Sequence, residues 1–270
     1  MKSDEEKTET EEELHYKMLV AEAEIINSQS GNLNEDGYNC EKCNNRGFYV
    51  VVKNTDIGWY DFAVDCECLK VHNLIKSMYE SGLGDMLKVY KFATYNHDLN
   101  WQNNIYNKAQ NFVKCPTNCF YIGGQVGSGK THICTAIVGE FMKKSETSVK
   151  YVVWEELSTL LKQEQFDDKE SYNERLDTLR ECKVLFIDDL FKTVPTIADI
   201  RNCFNIVNYR YNLSKSYADE NYITIISSEK TINELLEIDE AIASRIYEMA
   251  KGYCLSIDRD SQKNYRFRRD

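Results

Sequence analysis

Residues 124–131 read GQVGSGKT: Gly124, Gln125, Val126, Gly127, Ser128, Gly129, Lys130 and Thr131. Glycine weakens strand and helix interiors. A chain with only 12 glycines in 270 residues therefore has a reason to place three of them in six positions. The string fits G-x-x-x-x-G-K-[ST], in which successive backbone N–H groups turn inward and cradle a polyphosphate that no Cβ obstructs. It follows the apolar run CFYIGG and opens KTHICTAIVGEFMKK, which has helical periodicity at Ile133, Ile137 and Phe141. A helix N-terminus at this point would add its positive dipole end. Lys130 would then neutralise β/γ-phosphate charge and the Thr131 hydroxyl would ligate Mg²⁺. His132 completes the stretch assigned to ATP. The bland alternative is a glycine-rich turn followed by a chance Lys-Thr.

A second set of chemical groups closes the run VLFIDDL. Val184, Leu185, Phe186 and Ile187 make a buried strand, and Asp188 and Asp189 stand at its carboxyl end, where open α/β sheets bind ligands. Asp188 is the expected Mg²⁺ holder. Asp189 is the candidate to polarise the attacking water; as Asp rather than Glu it is one methylene shorter, so slow hydrolysis is expected. In IISSE, Ser227, Ser228 or Glu229 could reach the γ-phosphate or the water, with Ser228 the assigned sensor. In ASRIYEM, Arg245 could act on a neighbouring subunit's γ-phosphate. Its alternative is a surface arginine paired with Glu248.

The third candidate site is C-x2-C-x22-C-x-C: Cys40, Cys43, Cys66 and Cys68. Four thiolates suffice for a closed tetrahedral Zn²⁺ site, hence a structural one. Gly47 falls where a metal-binding turn wants positive φ, and His72 is a spare ligand. Four free thiols in a hairpin are the competing reading, although so short a segment has little core of its own.

These groups need elements to hold them. Apolar strands alternate with helical stretches from residue 101 onward: CFYIGG, KYVVW, VLFIDDL and NYITIISS are strands, and EELSTLLKQ, IADIRNCFNIVNYRYNLS, TINELL and AIASRIYEMA are helices. That pattern predicts an α/β fold with a parallel sheet flanked by helices. Residues 1–37 form an acidic head, an amphipathic helix and a polar linker, with residues 1–12 expected to be disordered. The helix carries an apolar stripe of Leu14, Met18, Ala21 and Ile25. Residues 38–75 are the zinc-binding module, 76–100 a connecting helical segment broken at SGLGD, and 101–270 the ATPase domain. The other six cysteines read as small core residues.

Bulk properties exclude several classes. No run is long and apolar enough for a transmembrane helix, and the acidic N-terminus is no secretory signal. Ten cysteines without such a signal point to a reducing, cytoplasmic setting. A net charge of −11 argues against broad attraction to nucleic acid. Lys263, Arg266, Arg268 and Arg269, with Trp154 and Tyr151, could still line a strand-binding groove.

Together GGQVGSGKTH, VLFIDDL, TIISSEKTINELLEIDEAIASRIYEM and the closing NYRFRR resemble the helicase loaders of the DnaC/DnaI type, AAA+ ATPases related to DnaA and IstB. The resemblance implies an AAA+ P-loop domain that binds ATP, forms homo-oligomers and contacts single-stranded DNA. It also implies an N-terminal module, often zinc-containing, that grips a replicative helicase. By position it makes Ser228 a sensor, Arg245 an arginine finger and Arg266 a second sensor. Two other functions compete: a transposition helper of the IstB kind acting on duplex DNA, and a small-molecule phosphotransferase. No arginine-rich acceptor lid stands between Lys144 and Lys183 to favour the last.

Overall fold

The computed structural model describes residues 10–80, 84–142, 149–216 and 222–267. The chain divides into two compact units, one ending at Lys76 and the other beginning at Ser77.

The first unit opens with α1 (Glu11–Ser28). Thr10 caps it: its hydroxyl accepts from the Glu13 N–H while the Glu13 carboxylate accepts from the Thr10 N–H. Order thus begins before residue 13, and only residues 1–9 of the expected disordered head lie outside the described residues. The helix packs on a hairpin of β1 (Phe48–Thr55) and β2 (Gly58–Asp65), antiparallel from Phe48↔Asp65 to Thr55↔Gly58. Tyr16 lies on Trp59 at 4.4 Å. Asn27 imitates a strand neighbour, donating to the Val50 carbonyl and accepting from the Val50 N–H, both at 2.8 Å. Ala23 is buried. The face turned inward is therefore not the predicted stripe. Leu14, Met18 and Ile25 are 53%, 55% and 63% exposed, and Ala21 is exposed with them.

The predicted linker after α1 is ordered as well. A short 3-10 turn spans Leu33–Asp36, and Gly31 and Leu33 donate to the carbonyls of Asn44 and Asn45. α2 (Cys68–Glu80) leads out of this unit.

The second unit begins with α3 (Gly84–Val89) and α4 (Asn100–Lys114). The first three residues of the predicted SGLGD break lie outside the described residues. A five-stranded parallel sheet follows, made of β3 (Cys119–Gly124), β4 (Val149–Val153), β5 (Val184–Leu190), β6 (Ile223–Ser228) and β7 (Cys254–Ile257). Its strand order is β4-β5-β6-β3-β7. Strands β3 and β6 are buried at every position, as a sheet covered on both faces requires. Helices α5 (Lys130–Met142), α6 (Trp154–Asp167), α7 (Lys169–Glu181), α8 (Ile197–Ser216), α9 (Ile232–Ile238) and α10 (Glu240–Ala250) complete the unit. No helix among the described residues is long and apolar enough to cross a membrane.

Arg210 on α8 is fully buried, and among the described residues no carboxylate is hydrogen-bonded to it. Its guanidinium donates to the carbonyls of Leu179, Arg180, Cys182 and Ile223 and to the Thr224 hydroxyl at 2.7–3.2 Å. It thereby satisfies the carbonyls that the end of α7 leaves without intrahelical partners and ties them to β6. Burial lowers its pKa from the usual guanidinium value.

Two residues predicted for a strand-binding groove are internal instead. Trp154 is in the core, edge-on to Phe191 at 5.5 Å. Tyr151 is buried with its hydroxyl 3.3 Å from Asp188 Oδ2. Both sit where β4 meets α6, so chain topology takes them away from solvent. Arg268 and Arg269 lie outside the described residues. Four of the six remaining cysteines are buried, whereas Cys115 is exposed and Cys254 partly so.

Candidate functional site

Strand β3 ends at Gly124, and α5 starts at Lys130. The intervening loop is the floor of a cavity of about 550 Å³. Val126, Gly127, Ser128, Gly129, Lys130, Thr131 and His132 line it, together with Asp188, Asp189, Lys192, Glu229 and Arg266. Gly124 and Gln125 lie behind that wall. Gly124 (φ +110) has no room for a side chain because a Cβ would stand 2.0 Å from the Ile257 carbonyl oxygen of β7. Gln125 accepts from the Asp260 N–H at 2.8 Å.

The other glycines also answer to protein neighbours. A Cβ on Gly127 (φ +68) would lie 2.0 Å from Asn264 Oδ1, and Tyr265 N–H donates to the Gly127 carbonyl at 2.9 Å. Residues 260–266 therefore run as a strap along the phosphate loop. The strap brings Arg266 to the cavity, while the Tyr265 hydroxyl accepts from the Gln102 side chain and donates to the Asn96 carbonyl. Gly129 (φ +86) leaves 3.3 Å to Tyr95. Smallness at this loop thus serves close packing by the chain as well as access to the backbone amides.

The Lys130 ammonium donates to the carbonyls of Gly124 at 3.0 Å and Gln125 at 2.6 Å. Burial lowers its pKa, against the opposing pull of Glu229 and Asp189. Thr131 Oγ1 donates to Asp188 Oδ1 at 3.1 Å, so the two residues assigned to magnesium meet. Ser227 donates to the same oxygen, and Tyr151 to Oδ2 at 3.3 Å. Burial raises the Asp188 pKa despite these three donors, and the neighbouring Asp189 charge pushes the same way.

Asp189 reaches the same cavity because β5 breaks its alternation. The register with β6 shifts between Ile187 and Leu190, and Asp189 (φ 54) and Phe191 (φ 50) are left-handed. Asp189 Oδ2 accepts from Lys192 Nζ at 2.8 Å. His132 stacks on Tyr90 at 4.7 Å and bonds the Lys91 carbonyl at 3.0 Å, and burial lowers its pKa.

Other assigned residues sit differently. Ser228 donates to the Leu190 carbonyl at 2.6 Å and accepts from Lys230 N–H, so its hydroxyl serves the bulge. Ser227, one residue earlier, is the hydroxyl that reaches Asp188 and accepts from the Asp189 N–H at 3.0 Å. Strand alternation separates the two, and the bare sequence leaves their phase open. Arg245 is outside the cavity of its own chain. It donates to Asn208 Oδ1 at 3.0 Å and the Ala241 carbonyl at 2.8 Å, over the rings of Phe204 and Tyr211. Glu248, its alternative partner, pairs with Lys215 and Tyr211 instead. Glu229, one of the three candidates in IISSE, lines the cavity, whereas Lys192 and Tyr90 carry no motif and only their proximity in sequence to Asp189 and the loop-facing segment hints at them.

In the first unit the Sγ atoms of Cys40, Cys43, Cys66 and Cys68 lie within 4.8 Å of one another, with 3.7 Å between Cys40 and Cys66 and 3.4 Å between Cys43 and Cys68. Zn–S bonds of about 2.3 Å put tetrahedral sulfurs about 3.8 Å apart, so the spacing suits that ion. Left-handed Asn44 and Asn45 and Gly47 (φ 84) form the knuckle, and Gly47 N–H points at Cys43 Sγ from 3.3 Å. Burial works against the Cys43 thiolate, but that N–H and the neighbouring thiols bring it down to about 7, while burial pushes Cys68 up. His72 is not in the cluster; its Nδ1 is 2.6 Å from Asp36 Oδ2.

Comparison with known proteins places this architecture. The sequence profile of the bacterial DnaA ATPase domain matches residues 92–251. The chain belongs to that family. Among its relatives is the uncharacterized protein YqaM of Bacillus subtilis strain 168, 34% identical over 77% of this chain and 68% of YqaM. The phage-like element PBSX protein XkdC of the same strain is 30% identical over 82% of each chain. Among solved structures, the DnaC helicase loader superposes with a TM-score of 0.51 at 21% identity, covering 63% of this chain and 97% of that one. The chain is thus a nucleotide-binding AAA+ ATPase connected with replication. The family match ends before β7 and the strap, so those contacts are read from this chain alone.

Proposed function

We propose that this ATPase loads a replicative helicase onto single-stranded DNA, with ATP as the assembly and release switch. The observation that carries the reading is the pairing of a phosphate-loop cavity with a separate unit whose first helix leaves Leu14, Met18, Ala21 and Ile25 outside its own core. An apolar stripe of that kind suits a partner's surface. The fold of the DnaC helicase loader supports the same reading.

In the cavity, amides of residues 127–131 would bind the phosphates and Lys130 would leave its carbonyls for them. Thr131 and Asp188 offer hard oxygen donors 3.1 Å apart in the cavity wall, and so fit magnesium. Bound there, magnesium would neutralise phosphate charge. Asp189 would accept the proton of the attacking water. Ser227 would fix the orientation of Asp188, and Arg266 would meet the phosphates from the strap. Arg245 would serve the site of a neighbouring copy in a homo-oligomer. The four cysteines fit zinc, which would hold the hairpin ends together.

The test is capture of the cognate replicative helicase by tagged protein, with ATP, ADP or no nucleotide. Wild type is expected to retain helicase in a nucleotide-dependent way. A Leu14→Glu/Met18→Glu/Ile25→Glu variant should lose it while keeping ATP turnover and thermal stability. Undiminished capture by that variant would remove the stripe from the account, and no capture by wild type would remove the loader function.

A further inference from the structure

The hairpin of the first unit has two unlike faces. Strand alternation puts Trp59, Asp61, Ala63 and Asp65 on the side of β2 that meets Tyr16 of α1, and Tyr60, Phe62 and Val64 on the other. Register adds buried Val50 to the first side, and Tyr49, Val51 and Lys53 to the second. On that second side Tyr60 and Phe62 are each 42% exposed, and Lys53 is exposed with them. The pairs Tyr49↔Val64, Val51↔Phe62 and Lys53↔Tyr60 follow one another along it. Three rings therefore run in a row with an ammonium at each end. Lys42 stands 5.0 Å over the Tyr49 ring, and Lys53 is directly across from Tyr60.

A run of rings left in water on a sheet face marks a contact surface. The charges select its occupant. The acids of the strands, Asp61 and Asp65, share the side of α1, and Asp56 sits in the turn, whereas Lys42 and Lys53 bracket the rings. Glu67, 3.5 Å from Lys42, is a carboxylate that an arriving anion would displace. Flat rings between cations suit a ligand that alternates flat rings with anions. A single strand of DNA is such a ligand: its bases stack on aromatic side chains whatever their sequence, and its phosphates pair with the ammoniums. Alternate residues of a β-strand stand about 6.8 Å apart, twice the rise of about 3.4 Å per nucleotide, so Phe62 and Tyr60 match every second base of a stacked strand. A duplex keeps its base faces covered, and an apolar protein surface gains nothing from the lysines.

We propose that the open face of this hairpin, through Tyr49, Phe62, Tyr60, Lys42 and Lys53, binds single-stranded DNA. The inference rests on the loader reading and deepens it by giving the cysteine-bearing unit a strand-binding surface. That location differs from the groove expected around Tyr151 and Trp154, which are buried. Tyr49 packs against the four-cysteine cluster, which fixes one end of the row.

The experiment titrates a fluorescent oligo(dT) of about 20 nucleotides with the full chain, without nucleotide, and reads anisotropy beside thermal melting and helicase capture. Tyr60→Leu/Phe62→Leu keeps the face apolar but removes two flat rings, and should weaken binding at least about tenfold. Tyr60→Trp/Phe62→Trp should keep or raise the affinity. Lys53→Ala should flatten the slope of log affinity against log salt by about 0.7, the value of one phosphate contact. Undiminished affinity of the Leu pair, or no binding by wild type, overturns the inference. So does loss of helicase capture by the Leu pair with strand affinity intact, which assigns the face to a protein. Should the Leu pair melt far below wild type, the other two variants decide: a Trp pair that loses affinity, or an unchanged salt slope in Lys53→Ala, overturns the inference. Helicase capture by a wild type that binds no strand refutes the hairpin site alone; ring-dependent strand binding by a wild type that captures no helicase refutes the loader reading alone.

Discussion

The contact between Gly127 and Asn264 gives a prediction with a definite sign. Gly127→Ala places a methyl 2.0 Å from Asn264 Oδ1 and 2.7 Å from its Cγ, in a backbone conformation at φ +68. The left-handed backbone costs about 1–2 kcal/mol for an L residue. Asn264 is buried, and its Oδ1 accepts from the Arg266 N–H at 3.0 Å, so relief of the overlap means shifting the strap. That shift endangers this bond and the Tyr265 N–H to Gly127 carbonyl bond, at about 0.5–1.5 kcal/mol each. Gly127→Ala should therefore cost about 2–5 kcal/mol. Asn264→Ala alone should cost about 1 kcal/mol, the value of one hydrogen bond. In the double variant the overlap is gone, so its cost should not exceed that of Gly127→Ala, a coupling of about 1–3 kcal/mol. Urea unfolding at constant m-value measures all four corners. Nucleotide affinity should follow the same order, because the strap carries Arg266. Strict additivity of the two substitutions would show that the strap does not press on the loop and would refute the reasoning.

Three further outcomes are expected. Arg210→Met leaves several buried carbonyls unpaired and should cost about 3–5 kcal/mol, with Arg210→Lys intermediate because three donors replace five; urea midpoints check this. Burial raises the Asp188 pKa, so its protonated form favours folding below the ordinary carboxylate range and that contribution is lost as pH rises through the raised value. Asp188→Asn, melted without magnesium or nucleotide, should accordingly gain stability relative to wild type as pH rises from about 4 toward 7. Prolonged chelation should release one zinc per chain and unfold the hairpin unit, as Cys43→Ser should; a chromophoric zinc assay with circular dichroism reads both.

The phosphate loop and the four main strands were legible because each imposes a local pattern: glycines before Lys-Thr, and apolar runs ending in polar groups. Strand β7 was not, since Cys254–Ile257 is short and pairs with β3 across a long sequence gap, at the edge of the sheet. Helix α7 was obscured by its polarity; only Leu176 and Leu179 are buried in it. The stripe on α1 was visible as periodicity, yet periodicity cannot say which face meets the core. Tyr16, Ala23 and Asn27 turned out to face the hairpin because a tilted aromatic contact with Trp59 and an asparagine that mimics a strand neighbour prevail over the longer aliphatic row. Likewise, Ser227 and Ser228 are equivalent in composition and differ only in strand phase, which the bulge in β5 helps to set.

That irregularity explains why the second acid is aspartate. On an unbroken strand, adjacent residues project to opposite sides, and Asp188 and Asp189 would never share a chamber. The kink swings the second round to join the first, and it demands a main-chain twist that aspartate and asparagine accept more readily than glutamate or β-branched residues. What reads along the letters as a shortened, weakened base is the acid better able to turn that corner. Substituting glutamate would lengthen the arm while penalising the elbow.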